Sequence, residues 1–382
     1  MTDTAFLASR TGPLPGWFEA TVAALGYEPA ATLTVDRPEH GRYNLPPGLV
    51  DRVARRLGET DAAFLGVDEL LHPGQRVDLE AALPPVTVRD RRDVVWRRLA
   101  AANPVAERSL ALRDARVERR RVAGAERDSN RQSPGGSGDR VGELDRRCQQ
   151  LRADLETLRT EARERVTDTH GGVDARVVLV GPPTALSTAL RTALTDNDAT
   201  GDPFGPARPT TTVTTIGPHK VALTDTPGLV AELPDWYTGV VPGTLAALED
   251  ASAAVVVGER HDPLERCCRA VEDRVDGPLV PVLPGADSPV AGRDPVDGAT
   301  PGAVRSRLAA VLPSSRLALS LPYGDETHAL VSRLHDQVTV HTVEYGETVL
   351  LDVEVPAGRV DRLRRRVGEL GGESEPQPPA GR

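Results

Sequence analysis

"VLVGPPTALSTAL", residues 178–190, runs from an apolar stretch through a glycine into a helix-compatible stretch. A phosphate-binding loop has the form Gly-x-x-x-x-Gly-Lys-Ser/Thr. Its glycines let backbone N–H groups approach phosphate oxygens, its lysine neutralises them and its hydroxyl holds magnesium. On that pattern Gly181 is the first glycine, Thr184 lies inside the loop, and Leu186 stands where the second glycine belongs. Ser187 replaces the lysine, and Thr188 keeps the hydroxyl. Half of the motif is present, so for the loop alone an ordinary strand, turn and helix is the better reading.

The residues downstream shift that balance. "ARPTTT", residues 207–212, offers Thr210 and Thr211 as hydroxyls for a magnesium ion. "LTDTPG", residues 223–228, closes a buried-strand pattern with Asp-x-x-Gly: Asp225 is placed to hold the metal through water, and the Gly228 N–H to meet a terminal phosphate. An Asp/Pro/Gly turn after a strand is common in isolation, but the order and spacing favour a nucleotide site. A guanine-reading Asn-Lys-x-Asp is expected after a later strand, where the chain has "PVLPGADS". There Asp287 remains in register to accept hydrogen bonds from a base, and Pro284 and Gly285 replace the Asn and Lys. The magnesium set would be Thr188, Thr211 and Asp225; no catalytic residue can be assigned.

Composition bounds the partners. The 382 residues suffice for two to four domains with real cores, and the net charge of −10 argues against a protein that holds nucleic acid by overall charge. Lys220 is the only lysine beside 45 arginines, a bias that suits GC-rich codon usage and, more weakly, a salt-rich cytoplasm. Cys148, Cys267 and Cys268 make no disulfide framework, which suits a reducing cytoplasm. The longest apolar stretch, "ASAAVVVG", is too short to span a bilayer, so no membrane insertion is expected.

Four regions and a tail follow from the patterning. Residues 1–103 alternate helix and strand signals as a small α/β domain. Residues 104–170 are long charged helix interrupted by "SNRQSPGGSGDR". In the second arm Leu144, Cys148, Leu151, Leu155, Leu158 and Ala162 form one stripe, which predicts an antiparallel helical hairpin with a Gly/Ser tip. Residues 174–313 carry buried-strand runs separated by segments of helix length, a doubly wound and mostly parallel sheet. Residues 315–370 read as a small α+β domain, and residues 371–382 as a disordered tail by composition. His328, His335 and His341 lack zinc-site spacing and are expected to pack or face solvent. The "RVERRR" run, residues 116–121, is expected to be a solvated helix face or to pair with acidic neighbours.

From about Pro15 to Leu363 the chain resembles the HflX family of translational GTPases. The resemblance is carried by "LHPGQRVDLEAAL" before the hairpin, "GSGDRVGELDRR" (136–147) at its tip and "DTPGLVAELPDW" in the third region, and by "LPYGDETHALVSRLHDQ" with "VEYGETVLLDVEVP" in the fourth. It implies a P-loop NTPase-type G domain behind an HflX N-terminal domain and hairpin, with GTP/GDP and Mg2+ as cofactors. It also implies a monomeric cytoplasmic protein that binds the large ribosomal subunit and its rRNA, and Leu229 keeps the family's hydrophobic residue after Asp-x-x-Gly. The departures fall on the chemistry. Leu186, Ser187 and the donor-less Pro182 and Pro183 imply weakened or lost GTP binding and hydrolysis, a pseudo-GTPase. Two alternatives stay open: an active GTPase completed by the ribosome or a partner, and a nucleotide-independent regulator that binds ribosome or RNA.

Overall fold

β1 (Asp3–Ser9) is the second strand of a sheet ordered β2 (Tyr27–Thr34), β1, β3 (Ala62–Val67), β4 (Thr87–Asp90), with every pairing parallel. Its alternation explains the position: Phe6 and Ala8 enter one core, Ala5 and Leu7 the other, so β1 is buried on both faces. A computed structural model describes residues 3–60, 62–132, 139–167, 172–182, 189–190, 192–194, 206–228, 233–285, 288–297 and 300–378. The chain divides into two units, residues 1–162 with 235–242, and residues 163–234 with 243–382.

In the first unit, α1 (Gly16–Ala24), α2 (Pro47–Leu57), α3 (Pro73–Ala82) and α4 (Arg91–Ala100) alternate with those strands. Polar side chains fix the start of α4. Asp90 accepts from the Asp93 N–H at 2.9 Å as its N-cap and from the Leu71 N–H at 2.8 Å. The hairpin consists of α5 (Pro104–Gln132) and α6 (Asp139–Thr167), 29 residues each. The pairs Arg119–Asp145 (3.1 Å) and Arg108–Asp154 (3.7 Å) advance in opposite directions along the two helices, so the arms are antiparallel. Cys148, Leu151, Leu155, Leu158 and Ala162 of the expected stripe meet Val105, Leu112 and Ala115, the buried seam that the 4–3 spacing requires. Residues 133–138 of the expected tip lie outside the described residues. α7 (Asp235–Thr238) and the residues after it also belong to this unit: Tyr237 is buried, Trp96 Nε1 donates to the Trp236 carbonyl at 3.0 Å, and Arg159 Nε donates to that of Gly239 at 2.9 Å.

The second unit holds a five-stranded sheet ordered β6 (Thr210–Ile216), β7 (His219–Asp225), β5 (Ala175–Val180), β8 (Ala253–Val257), β9 (Leu279–Val282). β5, β7, β8 and β9 are parallel, and β6 pairs antiparallel at the edge. α8 (Pro242–Glu249), α9 (His261–Glu272) and α10 (Pro301–Val311) accompany it, and Leu190, Leu194, Val304 and Leu308 pack on the strand residues. This is a mostly parallel α/β sheet with one antiparallel edge strand. Cys267 and Cys268 are buried on α9, where desolvation pushes the Cys268 thiol up to about 12.

The last region is an antiparallel sheet ordered β11 (Thr339–Tyr345), β12 (Thr348–Pro356), β10 (Ser314–Pro322), β13 (Glu373–Gln377), covered on one face by α11 (Asp325–Gln337) and α12 (Val360–Glu369). β13 corrects the expectation of a disordered tail from residue 371. Gly371 turns the chain at φ +72°, and a Cβ on Gly372 would come within 2.6 Å of the Ser320 carbonyl oxygen, so the glycine pair lets residues 373–377 lie against β10. Strand addition uses backbone groups alone, so a composition of Glu, Ser, Pro and Gln does not reveal it. Residues 379–382 lie outside the described residues.

Candidate functional site

The carboxyl ends of β5 and β7 bring the sequence-predicted groups together. β5 is followed directly by Gly181, where a Cβ would lie 2.0 Å from the backbone oxygen of Val257 at the end of β8. No side chain fits there, so the turn leaving the sheet requires glycine. Leu179 pairs with Asp225 across β5 and β7, and Thr226 ties the next turn down: its N–H and its hydroxyl both donate to the Leu179 carbonyl, at 3.2 and 3.0 Å. Asp225 is fully buried at the strand end, and Gly228 follows in the same turn.

β6 adds the threonines from the other side. Thr210 lies directly opposite Asp225 and Thr211 opposite Thr224. Directly opposed residues of an antiparallel pair share a face, so Thr210 and Asp225 project to one side of the sheet and Thr211 and Thr224 to the other. The Thr211 and Thr224 hydroxyls are accordingly 2.9 Å apart, whereas the Thr210 hydroxyl donates to the Arg208 carbonyl at 3.4 Å. Gly181, Thr210, Thr211, Asp225 and Gly228 therefore occupy neighbouring strand ends. Thr184, Ser187, Thr188 and Asp287, with Leu186 and Leu229, lie outside the described residues.

The strand ends thus place a glycine turn beside a buried carboxylate with a threonine directly across from it. The donor set is hard oxygen, which suits magnesium rather than a softer ion. Among the described residues no group of three or more His, Cys, Asp and Glu side chains could hold a metal by itself. The three C-terminal histidines take the packing and surface roles expected of them. His335 Nδ1 is 2.9 Å from the Val331 carbonyl oxygen, His341 is 3.5 Å from Glu354, and His328 stacks on Tyr345. Among the described residues no helix is long and apolar enough to cross a membrane.

Two proteins named GTPase HflX are similar to this chain in sequence. The GTPase HflX of Methanocaldococcus jannaschii is 24% identical over 264 residues, 66% of this chain and 65% of that protein. The GTPase HflX of Spirochaeta thermophila is 29% identical over 259 residues, 63% of each. The sequence of this chain is thus similar to that of HflX GTPases. The match spans just under two thirds of the length of these HflX relatives. No family model matches the chain. A GTP-binding protein from Sulfolobus solfataricus, solved in complex with GDP, is similar over 75% of this chain and 83% of its own, at 16% identity and a TM-score of 0.41.

Two contributors to these strand ends escape a motif reading. Thr224 holds the Thr211 hydroxyl, and Val257 supplies the carbonyl that excludes a side chain at residue 181. The run of β-branched residues in "TTTVTTI" was a readable signal of β6, and with it of the Thr211 to Thr224 pairing. Nothing local to Val257 points to its role.

Proposed function

We propose that this chain binds GTP or GDP with Mg2+ at the carboxyl edge of the second unit's sheet, and that it does so weakly and with little or no hydrolysis. The observation that carries the reading is the juxtaposition of Gly181 with the Asp225-Gly228 turn and Thr210 at adjoining strand ends. The HflX relatives, both named GTPases, support the choice of nucleotide. A bound nucleotide with magnesium would supply the reacting phosphoryl group and its charge neutralisation. The chain would contribute Asp225 and Thr210 on the metal side, the Gly228 N–H toward the terminal phosphate, and Thr188 and Asp287 by position in the sequence.

The weakness follows from Ser187 and Leu186. A missing charge-assisted lysine contact costs on the order of 1.5–3 kcal/mol, about one to two decades of affinity. Hydrolysis suffers more than binding, because the lysine's charge is worth most where charge develops on the transferring group. The association partner we infer is the large ribosomal subunit, reached through the hairpin. Two arms of 29 residues each extend about 43 Å at the α-helical rise of 1.5 Å per residue.

Fluorescent GDP and GTP titrations with magnesium test the nucleotide reading. Micromolar or weaker binding that Asp225→Ala abolishes, together with turnover gained in the Leu186→Gly/Ser187→Lys double variant, is the expected result. Submicromolar GTP affinity with steady turnover in the unaltered protein would remove the weakened-site reading. Absence of binding in both the unaltered protein and the double variant would remove the nucleotide reading altogether.

A further inference from the structure

Within the first unit, α3, α4 and the two hairpin helices enclose a cleft of about 550 Å³ whose lining is dominated by arginine. The cleft stands out in a chain whose net charge is −10. Two of its arginines are neutralised within the fold. Arg113 donates from Nε to Asp93 and from Nη2 to Asp90, both at 2.6 Å, and Arg92 Nη2 donates to the Leu71 carbonyl at 2.8 Å and lies 3.4 Å from Asp90. A third, Arg159, pairs with Glu156 at 2.8 Å. Arg116 on α5 and Arg152 on α6 have no carboxylate in ion-pairing range among the described residues, and Asp145 acts on Arg152 only from beyond that range, so neither guanidinium is held by a direct ion pair. Partial burial, and then the charge of Arg152, push Arg116 below the ordinary arginine value, as expected of like charges held together.

A second, independent feature points into the same space. Ser109, 4% exposed on α5, lines the cleft, and its hydroxyl has no hydrogen-bond partner. The Nε of Arg92 is likewise buried without a partner. A buried donor left unsatisfied costs roughly 1–3 kcal/mol, and such groups mark places where a ligand or ordered solvent completes the structure. Two guanidiniums without a direct ion pair and two unmet donors call for an acceptor-only ligand of charge −2. A carboxylate or a phosphodiester carries a single charge and leaves one arginine unanswered. A phosphate monoester or free phosphate offers both the charge and the oxygens that guanidinium forks engage.

We propose that this cleft binds a dianionic phosphate group, free phosphate or a phosphate monoester, held by Arg116 and Arg152 and by the Ser109 hydroxyl and Arg92 Nε. The cleft residues belong to the first unit, and those of the proposed nucleotide edge to the second.

Calorimetric titration of the full-length protein with inorganic phosphate and with glycerol 3-phosphate tests it, each in the unaltered protein and in the Asp225→Ala variant of the nucleotide edge, and with dimethyl phosphate as a singly charged control. The expected result is saturable one-to-one binding of at least one dianion, unaffected by Asp225→Ala and at least tenfold weaker for dimethyl phosphate. The stronger of the two dianions identifies the source as free or esterified. Arg152→Gln should weaken binding at least tenfold, the Arg116→Gln/Arg152→Gln double variant should abolish it, and Ser109→Ala should weaken it severalfold. Arg152→Lys should retain part of it. Arg116 and Arg152 are exposed, so their substitution leaves the helical packing in place, which circular dichroism checks. Absence of saturable binding of either dianion would overturn the proposal, as would an unchanged double variant or binding that Asp225→Ala removes.

Discussion

Single residues decide where this chain is intolerant. Gly181 is held against a backbone atom, so the overlap of a methyl group with the Val257 oxygen cannot be relieved by a side-chain rotation. Gly181→Ala is expected to destabilise the second unit by about 3 kcal/mol or more, read as a lowered urea midpoint. Thr210 and Thr211 face opposite sides of the sheet. Thr210→Ala should therefore reduce magnesium-dependent nucleotide binding, whereas Thr211→Ala should chiefly loosen the contact with Thr224. In the first unit burial raises the Asp68 carboxyl to about 6 against the opposing pull of Arg91, whose Nε lies 2.8 Å away. A carboxyl with a raised folded-state value favours the fold when protonated, so its contribution is complete below about pH 4 and is lost as pH rises through about 6. The stability of the unaltered protein relative to Asp68→Asn should therefore fall between pH 4 and 6.5, as urea midpoints at each pH would show.

At the scale of elements, helix periodicity was the most legible feature. The stripe from Leu144 to Ala162 named the face of α6 that α5 covers, and Leu151→Ala, which empties a place in that seam, should cost about 2–4 kcal/mol. Strands at sheet edges were less legible. β6 is polar and exposed on one side, so its threonines read as metal ligands before they read as a strand; β13 has almost no apolar signal. Both exist because a neighbouring strand offers unpaired backbone groups. Ending the chain at Gly372 would bare the edge of β10, and hydrogen exchange of the β10 amides that face β13 should then quicken at least tenfold. β1 is hard to read for another reason: "DTAFLAS" is buried on both faces and shows neither period clearly.

For the whole molecule, the sites fall in different units. The nucleotide edge belongs to the second unit, and the hairpin with its arginine cleft to the first. Deleting residues 131–147 should therefore abolish co-sedimentation with the large ribosomal subunit while leaving GDP affinity within about twofold of the full chain. With a net charge of −10, ribosome association would depend on local cationic groups, so it should weaken as salt rises.

By itself the sequence determined the alternation of elements, the hairpin and the order of the nucleotide motifs, because these depend on residues a few positions apart. It also showed that Leu186 and Ser187 stand where a phosphate-loop pattern has glycine and lysine, which is a matter of identity alone. Only the tertiary structure decided that residue 181 must be glycine, that Thr210 and not Thr211 shares the face of Asp225, and that residues 373–377 form a strand. It alone brought Arg116 and Arg152, 36 positions apart in sequence, into one cleft with the unmet Ser109 hydroxyl. Each of these depends on backbone atoms or charges from distant segments meeting in space, which no local pattern records.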